Sequence, residues 1–302
     1  MHIGITGATG FIGRYIVRHL IELGHTCRCW YRSSSHRDIA GVARDSIEWV
    51  PGELGDQQSC LELVKGCDAI VHSALYRVGT EFRGNEGDVL TFAQKNIMGS
   101  LQLIEAAKSS GVDRFVYIAT CAVHEKILDD RPLDEKHPLW PLTHYGAHKA
   151  AMEKFVHSYG FGDGYNICSL RPTGVYGRNE PIENSKWFEL IQSVVRGEAV
   201  KCHRGGKEVH AADVAKAVGV LLNASGVAGE AFSCYDRYIS QFEVAQITAT
   251  ATGASAQIDG EVTVPKHQIE TGKLRALGME FGGTPLLEST VSEIAAAIAG
   301  RS

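Results

Sequence analysis

Short runs of β-branched and aromatic residues alternate with longer stretches of helical periodicity through the first two-thirds of the chain. The runs Ile3–Thr6, Thr26–Tyr31, Ile47–Val50, Ala69–His72, Arg114–Ala119 and Tyr165–Leu170 have the length and composition of buried strands. Between them, Phe11–Leu23, Gln57–Lys65, Asp88–Ser109 and His144–Tyr159 repeat their apolar residues every three or four positions. Within one such stretch, Phe92, Ile97, Leu101, Ile104 and Ala107 fall on one helical stripe. Parallel strands need crossover connections, so this alternation predicts an α/β fold: a doubly wound parallel sheet covered by helices on both faces.

The rhythm changes after Arg171. Proline and glycine punctuate Arg171–Pro181, a helix is expected at Trp187–Arg196, and Gly205-Gly206 reads as a break. An amphipathic helix at Asp213–Leu222, with Asp213 read as a helix cap, precedes a strand at Ala231–Cys234, and helices at Gln241–Thr252 and Glu288–Ala299 follow. We therefore expect a dinucleotide-binding domain over residues 1–172 and about 205–235, and a smaller substrate-binding lobe over about 173–204 and 236–302.

Composition narrows the function classes. The 302 residues are 44% hydrophobic and 22% charged, which supports a packed core. Thirty basic against 35 acidic residues give a formal charge of −5, and a nucleic-acid binder would carry a basic surplus instead. No apolar stretch reaches the roughly 20 residues of a membrane span, and no signal peptide is read at the N-terminus. The eight cysteines include no CxxC pair, so buried free thiols in a cytoplasmic setting are expected. No metal is assigned: His124, His144, His148 and His210 have no carboxylate at useful ligand spacing.

Candidate chemistry begins at Ile5-Thr6-Gly7-Ala8-Thr9-Gly10-Phe11-Ile12-Gly13, where a strand runs through three glycines into a helix. Such glycines serve a tight turn, close approach of backbone to a pyrophosphate, and close helix–sheet packing; the helix N-terminus adds free N–H groups. This predicts a dinucleotide site built from Gly7, Thr9, Gly10, Phe11, Ile12 and Gly13 in a Rossmann-like fold. The GxxGxxG spacing of TGATGFIG resembles the extended branch of the short-chain dehydrogenase/reductase superfamily, the NAD-dependent epimerase/dehydratase family.

Where an NAD site places a carboxylate after the second strand, this chain has Tyr31-Arg32-Ser33. Arg32 reads either as an ordinary solvated loop arginine or, with Ser33 and nearby Arg37, as a clamp for a ribose 2′-phosphate. NADP is accordingly expected over NAD. Tyr145 and Lys149 form YxxxK, and at i and i+4 on a helix they share one face. A phenol near pKa 10 becomes a useful acid–base when a neighbouring cation favours its phenolate.

Further positions follow from the family resemblance. Thr120, at the end of the Arg114–Ala119 strand, looks like the family's serine or threonine that holds the substrate oxygen. Cys121 and Ala122 replace the Asp-Glu pair of the nucleotide-sugar dehydratases, which argues against dehydration. Glu53-Leu54 resembles the pair that meets the adenine. His72, Ser73 and Ala74 match the strand end that lines the cofactor, and Asn96 matches an asparagine of the crossover helix. Arg171-Pro172-Thr173-Gly174-Val175-Tyr176-Gly177 resembles the RPxxVYG segment, which places Pro172 by the cofactor. Leu75, Cys121, Ala122, Thr173, Arg178 and Arg204 are the substrate-side candidates.

The resemblance implies NAD(P)-dependent hydride transfer at a carbinol or ketone carbon of a small molecule such as a sugar, with Thr120, Tyr145 and Lys149 catalytic. A homodimer is compatible with it. The alternatives are a nucleotide-sugar epimerase with tightly bound NAD, and a non-catalytic dinucleotide sensor. Arg32, and Gly174 in place of the epimerases' asparagine, favour the dehydrogenase or reductase branch.

Overall fold

A computed structural model of the chain describes residues 1–79 and 86–300. The chain divides into two compact units. The first comprises Met1–Pro172, Val214–Cys234 and Ile269–Met279; the second comprises Thr173–Asp213, Tyr235–Gln268 and the chain from Glu280 onward.

The elements run β1 (His2–Thr6), α1 (Phe11–Glu22), β2 (Thr26–Tyr31), β3 (Ile47–Pro51), α2 (Gln57–Val64), β4 (Ala69–His72), α3 (Val89–Ala93), α4 (Gly99–Ser109), β5 (Arg114–Ile118), α5 (His144–His157) and β6 (Ile167–Pro172). They continue with β7 (Gly174–Tyr176), α6 (Phe188–Val195), β8 (Val200–Cys202), β9 (Gly205–His210), α7 (Ala211–Asn223), β10 (Ala231–Cys234), β11 (Arg237–Ser240), α8 (Gln241–Thr252), β12 (Ile258–Gly260), α9 (Gly272–Arg275) and α10 (Gly283–Ala299).

The first unit is built on a seven-stranded sheet in the order β10-β6-β5-β4-β1-β2-β3, with every pairing parallel. This is the doubly wound arrangement the alternation predicts, and the order reverses direction between β1 and β4. Buried on both faces, its strands read as near-continuous apolar runs: Ile3, Ile5, Ile70, Val71, Phe115 and Val116 are all at most 1% exposed. Local chemistry sets several helix starts. The Asp56 carboxylate accepts from Gln58 N at the head of α2, and Thr143 Oγ1 accepts from Gly146 N at the head of α5.

The helix expected at Asp88–Ser109 is interrupted. Its Asp88 cap accepts from Thr91 N, but a π turn at Gln94–Met98 separates α3 from α4 and turns Asn96 into the interior. The sixth strand begins at Ile167, two residues later than expected, and runs on to Pro172.

The second unit holds a three-stranded sheet, β11-β9-β7, and the pair β12-β8. Helices α6, α8 and α10 close over a core that includes Tyr176, Ile191, Ile239, Val244, Leu287 and Val291.

Here the sequence expectations need correction. Gly205-Gly206 is no break; it opens β9, which pairs with β7 and β11 and draws residues 205–213 into the second unit. A side chain at Gly205 would strike the Tyr238 ring, and one at Gly206 would strike the Glu208 carboxylate. Residues 269–279, expected in the lobe, belong to the first unit: Glu270 N donates to Leu133 O at 3.0 Å and Lys273 Nζ donates to Ala231 O at 2.7 Å. Asp213 lies inside the first turn of its helix, two residues past its start. That helix starts at Ala211 with His210 Nδ1 accepting from Ala212 N, while the Asp213 carboxylate accepts from Gly282 N just before α10.

Candidate active site

The glycine turn is built from three different demands. Gly7 has φ +71°, and a Cβ there would lie 2.7 Å from Ser73 Oγ and 2.8 Å from Ala74 N. A Cβ on Gly13 would collide with the Gly7 carbonyl oxygen, so the third glycine lets α1 lie directly on the turn. Gly10 differs: its backbone is extended (φ −78°, ψ 170°), and a Cβ there would meet only Gly7 O, at 3.2 Å. Beyond that one carbonyl nothing else lies within 4 Å of such an atom, and no side chain caps α1 above it. An uncapped helix start beside an open glycine suits an anionic pyrophosphate, so the residues present fit a dinucleotide.

That contrast makes a prediction. Gly13→Ala is expected to destabilise the fold by about 3 kcal/mol through overpacking, read as a lowered denaturant midpoint. Gly10→Val, whose Cβ meets only the Gly7 carbonyl at 3.2 Å, is expected to cost less stability than Gly13→Ala while nucleotide affinity falls by about 100-fold in a fluorescence titration. Tight nucleotide binding by a folded Gly10→Val variant would refute the placement.

The loop after β2 is organised from α1. Arg14 donates from Nε to Thr9 O (3.0 Å), from Nη1 to Asp38 O (2.7 Å) and from Nη2 to His36 O (2.9 Å). Ser35 Oγ accepts from Arg32 N at 3.0 Å, and the Arg37 guanidinium lies 4.4 Å from the centre of the Tyr31 ring. Arg32 and Ser33 are exposed at this loop's start. Sequence reasoning missed Arg14; its position one residue past the third glycine was the available signal.

After β4, a hydrogen-bond chain runs in one direction. Ala74 N donates to Thr6 Oγ1, which lies 2.6 Å from His72 Nδ1; His72 Nε2 lies 2.8 Å from Ser100 Oγ, which donates to Asn96 O. With the Ser100 hydroxyl already donating to Asn96 O, Nε2 is the ring nitrogen that donates to Ser100, and in the neutral ring Nδ1 accepts from Thr6 Oγ1. Burial agrees, pushing its pKa down to about 3. Asn96 accepts from Tyr76 N and donates to Tyr76 O and Phe92 O. His72 and Asn96 therefore face their protein neighbours and shape the Ser73–Tyr76 loop, where Ser73 Oγ is tied to Thr6 O and Leu75 is half-buried. Glu53 pairs with Lys95 at 3.7 Å, and Leu54 packs in the core beside Trp30 and Val50.

The acid–base candidates meet at the carboxyl end of β5. Lys149, 4% exposed, donates from Nζ to Ile118 O at 2.6 Å, with Nζ 4.6 Å from the centre of the Tyr117 ring. Burial lowers its pKa to about 7, and the nearby Glu153 carboxylate opposes that fall. Two residues beyond Ile118, Thr120 Oγ1 accepts from Ala122 N at 3.1 Å, which leaves its own proton free to donate. The start of α5 lies against this turn, because a Cβ on Gly146 would come within 2.7 Å of Ala122 O and of Pro141 Cβ. Gly146, also missed in sequence, is what lets the first turn of α5 lie against the Ala122 carbonyl. Tyr145 is half-buried, its ring 5.5 Å from that of His148. The ring of Tyr117 lies 5.5 Å from that of His72, so Lys149 and the glycine turn are joined across the strand ends.

The remaining candidates have local partners or separate surroundings. Cys121 Sγ donates to Arg171 O at 3.0 Å. Pro172 is buried at the end of β6, in register with Cys234 of β10. Thr173, Arg178 and Arg204 belong to the second unit, where Thr173 Oγ1 is buried without a hydrogen-bond partner, Arg178 pairs with Glu293 at 2.6 Å and Arg204 is exposed. Among the described residues no cluster of three His, Cys, Asp or Glu side chains could hold a metal ion, and no helix is long and apolar enough to cross a membrane.

Comparison with known proteins places the chain in a family. The chain is 28% identical over 202 residues to a 3β-hydroxysteroid dehydrogenase/Δ5→4-isomerase of Mycobacterium tuberculosis, a match covering 64% of this chain and 51% of that protein. It thus spans about half the length of the first curated relatives it matches. A low-salt glycan biosynthesis protein of Haloferax volcanii is 28% identical over 297 residues, 93% of each chain. A UDP-glucose 4-epimerase structure from Thermotoga maritima superposes with a TM-score of 0.79 at 21% identity, covering 99% of this chain and 100% of the other, which is a likeness of fold. The profile of the family described as NAD dependent epimerase/dehydratase matches residues 3–234. The chain belongs to the NAD-dependent epimerase/dehydratase family.

Proposed function

We propose that this protein is an NADP-preferring oxidoreductase acting at a carbinol or ketone carbon of a small-molecule substrate. What supports the reading is that Lys149 is bound to Ile118 O at the end of β5, that Thr120 lies two residues further on with its Oγ1 accepting from Ala122 N, and that the start of the Tyr145 helix packs against Ala122 O. When bound, a nicotinamide dinucleotide supplies the hydride acceptor or donor. The chain's own residues do the rest. Gly7, Thr9, Gly10 and Gly13, with the N–H groups of Phe11 and Ile12, cradle the pyrophosphate; Ser73, Ala74 and Pro172 border the nucleotide. Thr120 donates its hydroxyl proton to the substrate oxygen. Tyr145 moves a proton at that same oxygen. An ammonium carries three donors, and Lys149 spends one on Ile118 O, leaving the others for the ribose hydroxyls and its charge to favour the Tyr145 phenolate.

The preference for NADP rests on Arg32. The end of β2 carries no carboxylate to bind a free 2′-hydroxyl, and it presents Arg32 on a loop fixed by Arg14. Titration of both nucleotides should give tighter binding of NADP, and Arg32→Asp should weaken NADP by about 10–100-fold, the worth of one charged hydrogen-bonded contact. A wild type that prefers NAD, unchanged by the charge reversal, overturns this part. The reaction itself is tested by a carbonyl and carbinol substrate screen that follows the absorbance of the reduced nicotinamide.

A further inference from the structure

The face of α5 that carries Tyr145 and Lys149 continues to Glu153, at i+8. Glu153 is 0% exposed, and Arg171 of β6, 1% exposed, grips it through Nε to Oε1 (2.8 Å) and Nη2 to Oε2 (2.6 Å). The same guanidinium reaches the turn after Thr120: Nη1 donates to His124 Nε2 at 3.2 Å, and Arg171 O accepts from Cys121 Sγ. One buried ion pair thus connects the lysine-bearing helix, β6 and the segment that holds Thr120.

The groups bearing on Lys149 come from three elements. From β5 there are the Tyr117 ring and the Ile118 carbonyl, and from β4 there is His72. From α5 itself there are Tyr145, one turn back on the same face, His148 and Glu153. His72 and His148 are kept neutral by burial, and burial pushes the Tyr117 phenol upward. Glu153 is the carboxylate whose charge favours the ammonium.

We propose that Glu153, held by Arg171, is a positioning residue for the Tyr145–Lys149 pair, fixing the α5 face against β6 and the Thr120 turn and keeping Lys149 charged. Its bearing on turnover rests on the oxidoreductase reading. A pair with only a packing role would leave the titration of Lys149 where it is.

The test is an NMR pH titration of the full chain labelled with [13Cε]lysine, the Lys149 resonance being identified by its loss in Lys149→Met. The wild-type midpoint is expected near 7. Glu153→Gln, which leaves Arg171 unopposed, should lower it by about one pH unit or more. The double variant Glu153→Gln/Arg171→Met removes both charges from the interior, a change that folds more readily than breaking one side of the pair. Its midpoint should fall between the other two, and it carries the test if the single variant does not fold. A Lys149 midpoint unchanged from wild type overturns the proposal. The titration needs neither substrate nor nucleotide, so a failed oxidoreductase assignment would show in the substrate screen and leave this result readable by itself.

Discussion

Tyr145→Phe is expected to lower turnover by about 10²–10⁴-fold while leaving the fold and nucleotide affinity at parent values. The phenol oxygen is the transferable-proton site of the proposed chemistry, whereas the ring's other contacts survive the change. The ring stays beside His148, and the Tyr145 backbone N–H still reaches Glu86 Oε1 at 3.3 Å. Thr120→Ala should cost less, because it removes one hydrogen bond to the substrate oxygen. Lys149→Met should reduce both turnover and nucleotide affinity, since one ammonium serves both. Steady-state rates with an identified substrate, and nucleotide titrations beside them, check all three. Near-normal turnover by Tyr145→Phe would end the acid–base assignment.

A pronounced loss of stability in mild acid is the second large effect expected. Burial lowers the pKa of His72 and His124 to about 3, of His148 to about 2 and of His210 to about 4. In the unfolded chain histidines titrate near 6.5, so below that pH the unfolded state binds more protons and gains relative to the fold. The stability these residues represent is whole above about 6.5 and drains away as the pH falls toward their folded values. Each costs about 2 kcal/mol by pH 5, so the three in the first unit alone consume about 6 kcal/mol, comparable to a domain's entire stability. Thermal melts from pH 7.5 to 4.5 should show a steep drop, and a flat profile would refute the neutral assignment. His148→Leu should make the slope shallower by one proton.

The parts of this molecule legible in sequence are those whose cause is local. The strand–glycine–helix passage at residues 3–13 and the i, i+4 pairing of Tyr145 with Lys149 carry their geometry within one turn or one helix face. The doubly wound order follows from alternation because parallel strands leave few other topologies. What was illegible depends on partners distant in the chain. His72 and Asn96 matched cofactor-lining positions, yet their atoms are committed to Thr6, Ser100 and Tyr76. Gly146 looks like any helical glycine until Ala122 O is seen against it. Gly205-Gly206 reads as punctuation because glycine usually ends elements; here it makes room for Tyr238 and Glu208 inside a strand. The unit boundaries slipped for the same reason: β9 is claimed by β7 and β11, and 269–279 by Leu133 and Ala231.

All three Arg14 bonds end on main-chain carbonyls, of Thr9, His36 and Asp38. A carbonyl is the same whatever side chain its residue carries, so the contour of the β2 loop is insulated from changes in its own lettering. Side chains at positions 36 and 38 can change without removing either bond that holds the loop to α1. Arg14 is thus a brace that reads backbone alone, and its loss would free the course of residues 36–38 while leaving every side chain of that stretch in place.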